Sequence, residues 1–139
     1  GKAISNSGTA DYFASLIISV SSEMVSPVLL LLIIYLMTNL LSMVVTNKAS
    51  VAIVFPVAMA MVEQLRATSH ADLPYTPFIL AVAFAGCAEF ITPVGYQTNL
   101  MVYGPGGYKF GDYFRFGIPL TLLYLIMVVF ILSITYNLY

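Results

Sequence analysis

Thr92-Pro93-Val94-Gly95-Tyr96-Gln97-Thr98-Asn99 is the stretch whose reading decides the fold. These eight residues interrupt an apolar run that begins near Leu73-Pro74-Tyr75 and continues to about Tyr103. Proline removes a backbone donor and glycine loosens the helix, so a helix is expected to stop around Ile91 and restart near Asn99. The piece that follows, Leu100–Tyr103, is too short to be a further membrane span. A single broken helix over 74–103 is the favoured reading; two elements joined by a surface loop is the alternative. Non-helical backbone at membrane depth is tolerated only where protein buries it or water reaches it, and a discontinuous helix of this kind points to a transporter site near the bilayer midplane.

The rest of the chain supports lipid as the solvent. Of 139 residues, 60% are hydrophobic and 8% charged, where a soluble domain carries about a quarter charged residues. A formal net charge of -1 excludes nucleic-acid binding driven by clustered Lys and Arg. The single cysteine, Cys87, excludes an internal disulfide framework and a thiolate metal cluster. With one histidine and scattered carboxylates, no transition-metal site is expected. No nucleophile–base arrangement is visible, so the chain reads as something other than an enzyme.

Outward from the break, the elements follow from apolar length. Residues 11–22 form a short apolar segment suited to a half-helix or an interfacial helix. From Pro27 to Val45 the chain runs without a charge, is interrupted at Thr46-Asn47-Lys48, and resumes from Ala49 to Val62, predicting a helical hairpin over 26–66. Glu63, Gln64, Arg66, His70 and Asp72 mark a water-exposed loop. Gly104-Pro105-Gly106-Gly107 begins a turn and a short amphipathic piece, and residues 116–138 form the last span. Lys109 and Arg115 lie on the face opposite Arg66, so the positive-inside rule places 104–115 in the cytoplasm and the C-terminus outside. The N-terminus lacks an initiator Met and a signal-like charged and apolar pair, which predicts a piece whose partner segments lie upstream.

The hairpin tip carries the second candidate. If the turn lies inside the bilayer, the first helix ends in free carbonyls that suit Na⁺, and the second begins with free N–H groups and a positive dipole end that suit an anion. Lys48 would add a charge and three donors. Each arm is nearly long enough to span, so an ordinary surface turn with Lys48 in water is the equal alternative. Glu89 is costly at membrane depth; it is either a partner for Lys48 or a cation, or a hydrogen-bonded residue of the interior. Thr38, Asn39 and Ser42 read first as glue between helices. Tyr103, Tyr108, Tyr113 and Phe114 read as an interfacial aromatic belt.

At these two motifs the chain resembles the C-terminal half of the divalent-anion/sodium symporter family, within the ion-transporter superfamily. The family's Ser-Asn-Thr signature at the tip of a re-entrant hairpin is matched by Thr46-Asn47-Lys48, followed by Ala49-Ser50 and Phe55-Pro56-Val57. Its unwound break before a short helix and a Gly-rich turn is matched by Thr92 to Gly106, and its approach to the last helix by Tyr108 to Gly117. The likeness is strongest to the sulfate-permease-like branch. It implies an all-α polytopic membrane protein with a re-entrant helical hairpin plus a broken transmembrane helix, one half of an inverted-repeat transporter. It also implies a homodimer, a missing N-terminal half and a plasma or inner membrane location. Substrate contacts are implied for Thr46, Asn47, Lys48, Tyr96, Gln97, Thr98 and Asn99. A sodium site is implied from the backbone around Ser42, Val45, Asn47 and Gly95. Lys48 departs from the family pattern, where the carboxylate carriers have Thr; a fixed ammonium either replaces a coupled sodium ion or strengthens binding of a compact dianion.

The expected function is secondary active transport of a small divalent anion, sulfate ahead of dicarboxylates, with Na⁺ as the coupling ion and no cofactor. An oxyanion efflux permease of the same superfamily and a non-transporting anion-sensing receptor are the alternatives.

Overall fold

The computed structural model describes residues 26–68 and 71–139; the short helix expected at 11–22 lies outside them. Among the described residues five helices follow one another: α1 (Pro27–Ser42), α2 (Asn47–Thr68), α3 (Thr76–Cys87), α4 (Gln97–Tyr103) and α5 (Phe110–Thr135). No strand occurs among the described residues. The all-helical class is as expected, and boundaries shift by a few residues. The hairpin turn begins at Met43, earlier than the apolar run suggested, and α3 stops at Cys87 while α4 resumes at Gln97.

Helix α1 starts where its sequence dictates. Ser26 caps it, its Oγ accepting the Leu29 N–H at 3.2 Å, and Pro27 occupies the first turn, where a missing N–H costs nothing. The buried positions of α1 are Pro27, Leu30, Leu31, Ile34, Tyr35, Thr38, Asn39 and Ser42, a single stripe at helical spacing. That stripe changes from apolar to polar over its last turn. The buried face of α2 carries Val54, Val57, Ala58, Met61, Val62 and Leu65, and that of α3 carries Pro77, Phe78, Ala81, Val82, Ala85 and Gly86.

Helix α3 is the centre of the bundle, in contact with α1, α2 and α5. Its small residues allow close approach. A Cβ at Gly86 would meet Val51 Cγ2 at 2.6 Å, so α3 packs with its C-terminal end against the start of α2. Asn39, near the end of α1, reaches the same end of α3. Thus α1 and α3 run parallel and α2 antiparallel to both.

Helix α5 closes the bundle from the opposite direction. A Cβ at Gly117 would stand 2.3 Å from Phe90 O and 2.7 Å from Ile91 Cα, and the rings of Phe90 and Tyr124 meet edge to face at 6.0 Å. Its first seven residues therefore overhang the end of α3 by about 10 Å, at 1.5 Å per residue. At the other end of the bundle Arg66 donates to Leu73 O and Tyr75 to the Glu63 carboxylate, with the Arg66 guanidinium 4.5 Å from the Tyr75 ring centre. Arg66 thus lies at the end opposite Lys109 and Arg115, as the charge pattern predicted.

Asn47–Ala67 and Phe110–Thr135 are long and apolar enough to cross a membrane; Pro27–Ser42 and Thr76–Cys87 are shorter apolar helices. Only Gly117, Thr121, Val128 and Leu132 are buried along α5, leaving Leu122, Leu123, Ile126, Met127, Phe130, Ile131 and Ile134 on its outside. An apolar surface that continuous is expected against lipid or further transmembrane helices, not against water.

Candidate functional site

The two breaks predicted from the sequence meet. After α1 the chain turns through Met43–Thr46, with the Val44 and Val45 N–H groups both donating to Leu41 O. Thr46 then opens α2: its Oγ1 accepts from Ala49 N at 3.4 Å and its carbonyl from Ser50 N at 2.9 Å. After α3 the chain runs non-helically from Ala88 to Tyr96 and crosses the end of α1, where Thr92 Oγ1 donates to Met43 O at 3.4 Å. Gly95 sits against the same turn, its missing Cβ standing 2.9 Å from Ser42 O.

Asn39 fastens the second break to the first helix. Its amide nitrogen donates to Ala88 O at 2.9 Å and to Ala85 O at 3.3 Å. A helix ending inside a bilayer leaves carbonyls that no water satisfies; one buried amide supplies two bonds to them. Asn39 was read as glue between helices, and it has that role at the end of α3. Its signal in the sequence was a side chain with two donors on the stripe that contains Leu31 and Tyr35.

Glu89 is buried beside this junction, 3% exposed. Neither carboxyl oxygen has a hydrogen-bond partner. Lys48, the counter-charge suggested by sequence, is exposed at the start of α2 and does not bond it. Ser42 Oγ lies beside the carboxyl group but donates to Asn39 O at 2.9 Å. On the outer side, Glu89 O accepts from Asn99 Nδ2 at 3.1 Å, and Asn99 O accepts from Tyr113 OH at 3.0 Å. This relay ties α4 to both the break and α5.

The predicted site residues therefore separate into two groups. Ser42, Asn99 and Gly95 are woven into the junction. Thr46, Lys48, Tyr96, Gln97 and Thr98 are exposed, with Val45 and Asn47 half-buried, and the Asn47 carbonyl accepts from Ser50 Oγ at 2.8 Å. Beyond the relay, a cavity of about 460 Å³ lies between α4 and α5. Phe90, Tyr108, Tyr113, Phe116 and Leu120 line it together with Asp112; an apolar wall with one carboxylate is a poor place for a hydrated dianion. Tyr103 and Tyr108 both pack on the ring of Tyr113, at 6.0 and 6.1 Å, so these aromatics brace the α4–α5 turn. That turn is built on Gly107, whose φ of +65° favours glycine.

Comparison with known proteins gives the family. The family described as "Citrate transporter" matches residues 1–138. A Synechocystis protein named only as an uncharacterized transporter is 42% identical over 123 residues, covering 88% of this chain and 19% of its own length. A Chlamydomonas reinhardtii protein whose name links it to regulation of the sulfur-deprivation response is 38% identical over 121 residues, covering 86% of this chain and 19% of its own length. Sodium/sulfate cotransporter 1 of the same alga is 34% identical over 130 residues, covering 94% of this chain and 14% of its own length. The chain thus spans under a fifth of the length of these relatives. No solved structure matches the chain. The family is one of membrane transporters rather than enzymes, in agreement with the resemblance seen in the two motifs. This chain belongs to the citrate transporter family.

Proposed function

We propose that residues 1–139 form one half of the binding site of a sodium-coupled secondary transporter for a small divalent anion, with sulfate preferred to dicarboxylates. The meeting of the two breaks, Thr92 on Met43 O and Gly95 on Ser42 O, carries this reading. It puts the ends of α1, α2 and α3 and the approach to α4 at one place, the arrangement discontinuous-helix transporters use for ion and substrate. In this reading the α2 N-terminus, with Lys48 and the side chains of Thr46 and Asn47, faces the anion, while Tyr96, Gln97 and Thr98 border it from the second break. Ser42, Val45, Asn47 and Gly95 supply oxygen ligands and backbone to the cation. The names of the sodium/sulfate cotransporters among the relatives support both the anion and the ion.

A re-entrant hairpin is part of the proposal. Helix α1, with 16 residues, reaches about 24 Å, short of a hydrocarbon core of about 30 Å. Measured along α5, however, the junction lies level with Gly117, about 3 Å beyond Arg115. That position also suits a surface turn with Lys48 in water. The remaining ligands would come from segments outside residues 1–139, together with the homodimer partner that the family resemblance implies.

The test is labelled sulfate uptake into proteoliposomes holding the complete parent protein, with sodium or choline outside, and Lys48→Ala alongside. Sodium-stimulated uptake that is lost in the variant supports the proposal. Uptake indifferent to Lys48 favours the surface turn. Sulfate binding without flux favours a sensor, the reading suggested by the relative whose name concerns sulfur deprivation. Vesicles holding residues 1–139 alone are expected to show no uptake.

A further inference from the structure

The cavity between α4 and α5 has apolar walls and a charged mouth. Its walls are the rings of Phe90, Tyr113 and Phe116 with Val102 and Leu120. Phe116 and Leu120 are also exposed on the outside of α5, by 72% and 47%, so the cavity opens onto that surface. From there the exposed side chains of Leu123, Met127 and Ile134 follow at steps of three, four and seven residues, one line along the helix. At the mouth, Lys109 caps α5 and Asp112 lies on its first turn, the Asp112 Oδ2 accepting the Lys109 N–H at 2.8 Å. That bond uses one of two carboxylate oxygens, each of which accepts. Arg115 follows three positions on, the next residue of the same row. All three are exposed. No charged residue follows Arg115 as far as Tyr139, so the row stands at the boundary of the apolar span.

We infer that the groove between α4 and α5 binds a phospholipid with a primary ammonium headgroup. One acyl chain lies in the groove and along α5, the phosphate meets Lys109 and Arg115, and the ammonium meets Asp112. A phosphate takes donors and positive charge. A row reading plus, minus, plus, at steps of about 5–6 Å between neighbouring Cβ atoms, also gives an acceptor to an ammonium two carbons from that phosphate. A headgroup without an ammonium leaves Asp112 unpaired, and a quaternary ammonium has no N–H to donate to it. A further transmembrane helix would match the apolar line as well; the alternating charges select the lipid. Of the residues read as anion or cation ligands only Asn99 lines the cavity, so the inference does not rest on the transport reading.

The test is lipid retention, not uptake. The complete parent protein in detergent, stripped of lipid, is titrated with phosphatidylethanolamine, phosphatidylcholine or phosphatidylglycerol of identical acyl chains. Bound lipid is counted by native mass spectrometry. Phosphatidylethanolamine is expected to bind at about fivefold lower concentration than the other two, the effect of one charge near a membrane surface. Asp112→Asn, which keeps an oxygen for the Lys109 N–H, should abolish that preference. Arg115→Gln should weaken all three lipids alike. Leu120→Trp, on the exposed wall, should remove one bound lipid. Equal binding of the three lipids by the wild type overturns the inference, and so does a preference that survives Asp112→Asn. A lipid count unchanged by Leu120→Trp also overturns it, and would mean that another segment of the parent protein covers the groove.

Discussion

The two breaks solve the same problem in opposite ways. The first, Met43–Thr46, is short and satisfied locally: Leu41 O takes two N–H groups and Thr46 caps the next helix with its own side chain and carbonyl. The second, Ala88–Tyr96, is satisfied at long range, Ala88 O by Asn39 from α1 and Glu89 O by Asn99 from α4, and its own Thr92 side chain supplies Met43 O, the one long-range bond the first break receives among those described. Local satisfaction leaves side chains spare, and at the first break the spare ones are Lys48 and its neighbours. Long-range satisfaction consumes side chains, and at the second break Thr92 and Asn99 are consumed as architecture. The difference suggests that the first break recognises ligand while the second mainly holds the first in place. Substitutions at the second should then cost stability, and those at the first should cost affinity.

The sharpest way to break this division is Gly117→Val. Its Cβ would lie 2.3 Å from Phe90 O, a backbone atom with no room to yield. The second break must move or α5 must detach, and overpacking against backbone costs 3 kcal/mol or more by order of magnitude. The complete protein is expected to lose its cooperative melting transition and its monodisperse elution. Normal melting would show that α5 does not brace the break.

Asn39→Ala is next. It leaves Ala88 O without its buried donor, while Ala85 O keeps the Ala88 N–H at 3.2 Å, for a cost of about 1–3 kcal/mol. The melting temperature should fall by several degrees, with sodium and sulfate half-saturation altered less than threefold in the protein that remains folded. A large affinity change with normal melting would make Asn39 part of the ligand site rather than its scaffold.

At the first break the opposite pattern is expected. Lys48 is exposed, so Lys48→Ala should leave melting within about 0.5 kcal/mol of the wild type, as for most surface changes. If Lys48 faces the anion as proposed, its loss should weaken sulfate binding by about tenfold to a hundredfold, the scale of a charge-assisted hydrogen bond. Radioligand binding and melting on the same preparation check both halves of the statement.

Some of this was legible in the sequence because the signals were local. Pro93 and Gly95 within an apolar run announce a break without any knowledge of neighbours, and the uncharged run from Pro27 announces a helix, though a run apolar on every side does not say which face it buries. The long-range ties were not legible. Asn39 lies 46 and 49 residues from its two acceptors, and nothing in residues 36–42 says which helix end it will reach. The closeness of Gly117 to Phe90 is likewise a fact of packing: a glycine next to Ile118-Pro119 reads equally well as a loosened helix start. Glu89 was visible as an anomaly, a carboxylate in an apolar stretch. Its suggested pairing with Lys48 is absent from the structure, because Lys48 points outward from the α2 start while Glu89 is enclosed behind Gly95 and Ser42. The tip residues Thr46, Asn47 and Lys48 are candidates as the polar interruption of an apolar run and, beside that, through family resemblance; geometry adds that Thr46 and Lys48 are exposed.

The smallest expected effect tests how spare the first break is. Thr46 Oγ1 caps α2 through one contact at 3.4 Å, long for a hydrogen bond to a backbone N–H. Loss of a helix cap costs about 0.5–2 kcal/mol, and a bond this long belongs at the low end. Thr46→Ala should therefore lower stability by roughly 0.5 kcal/mol, near the resolution of a melting experiment. If the hydroxyl instead serves the anion, the same variant should weaken sulfate binding by about threefold to tenfold, the usual scale of a neutral hydrogen bond. Thr46→Ser keeps the oxygen and removes only a methyl group, so it separates the two roles from any packing effect. Full affinity in Ser with reduced affinity in Ala, and no measurable melting difference between the three proteins, would assign the hydroxyl to the ligand. Equal affinity in all three would make Thr46 a cap and nothing more, and would move recognition at this break onto Lys48 and the backbone N–H groups of the first turn of α2.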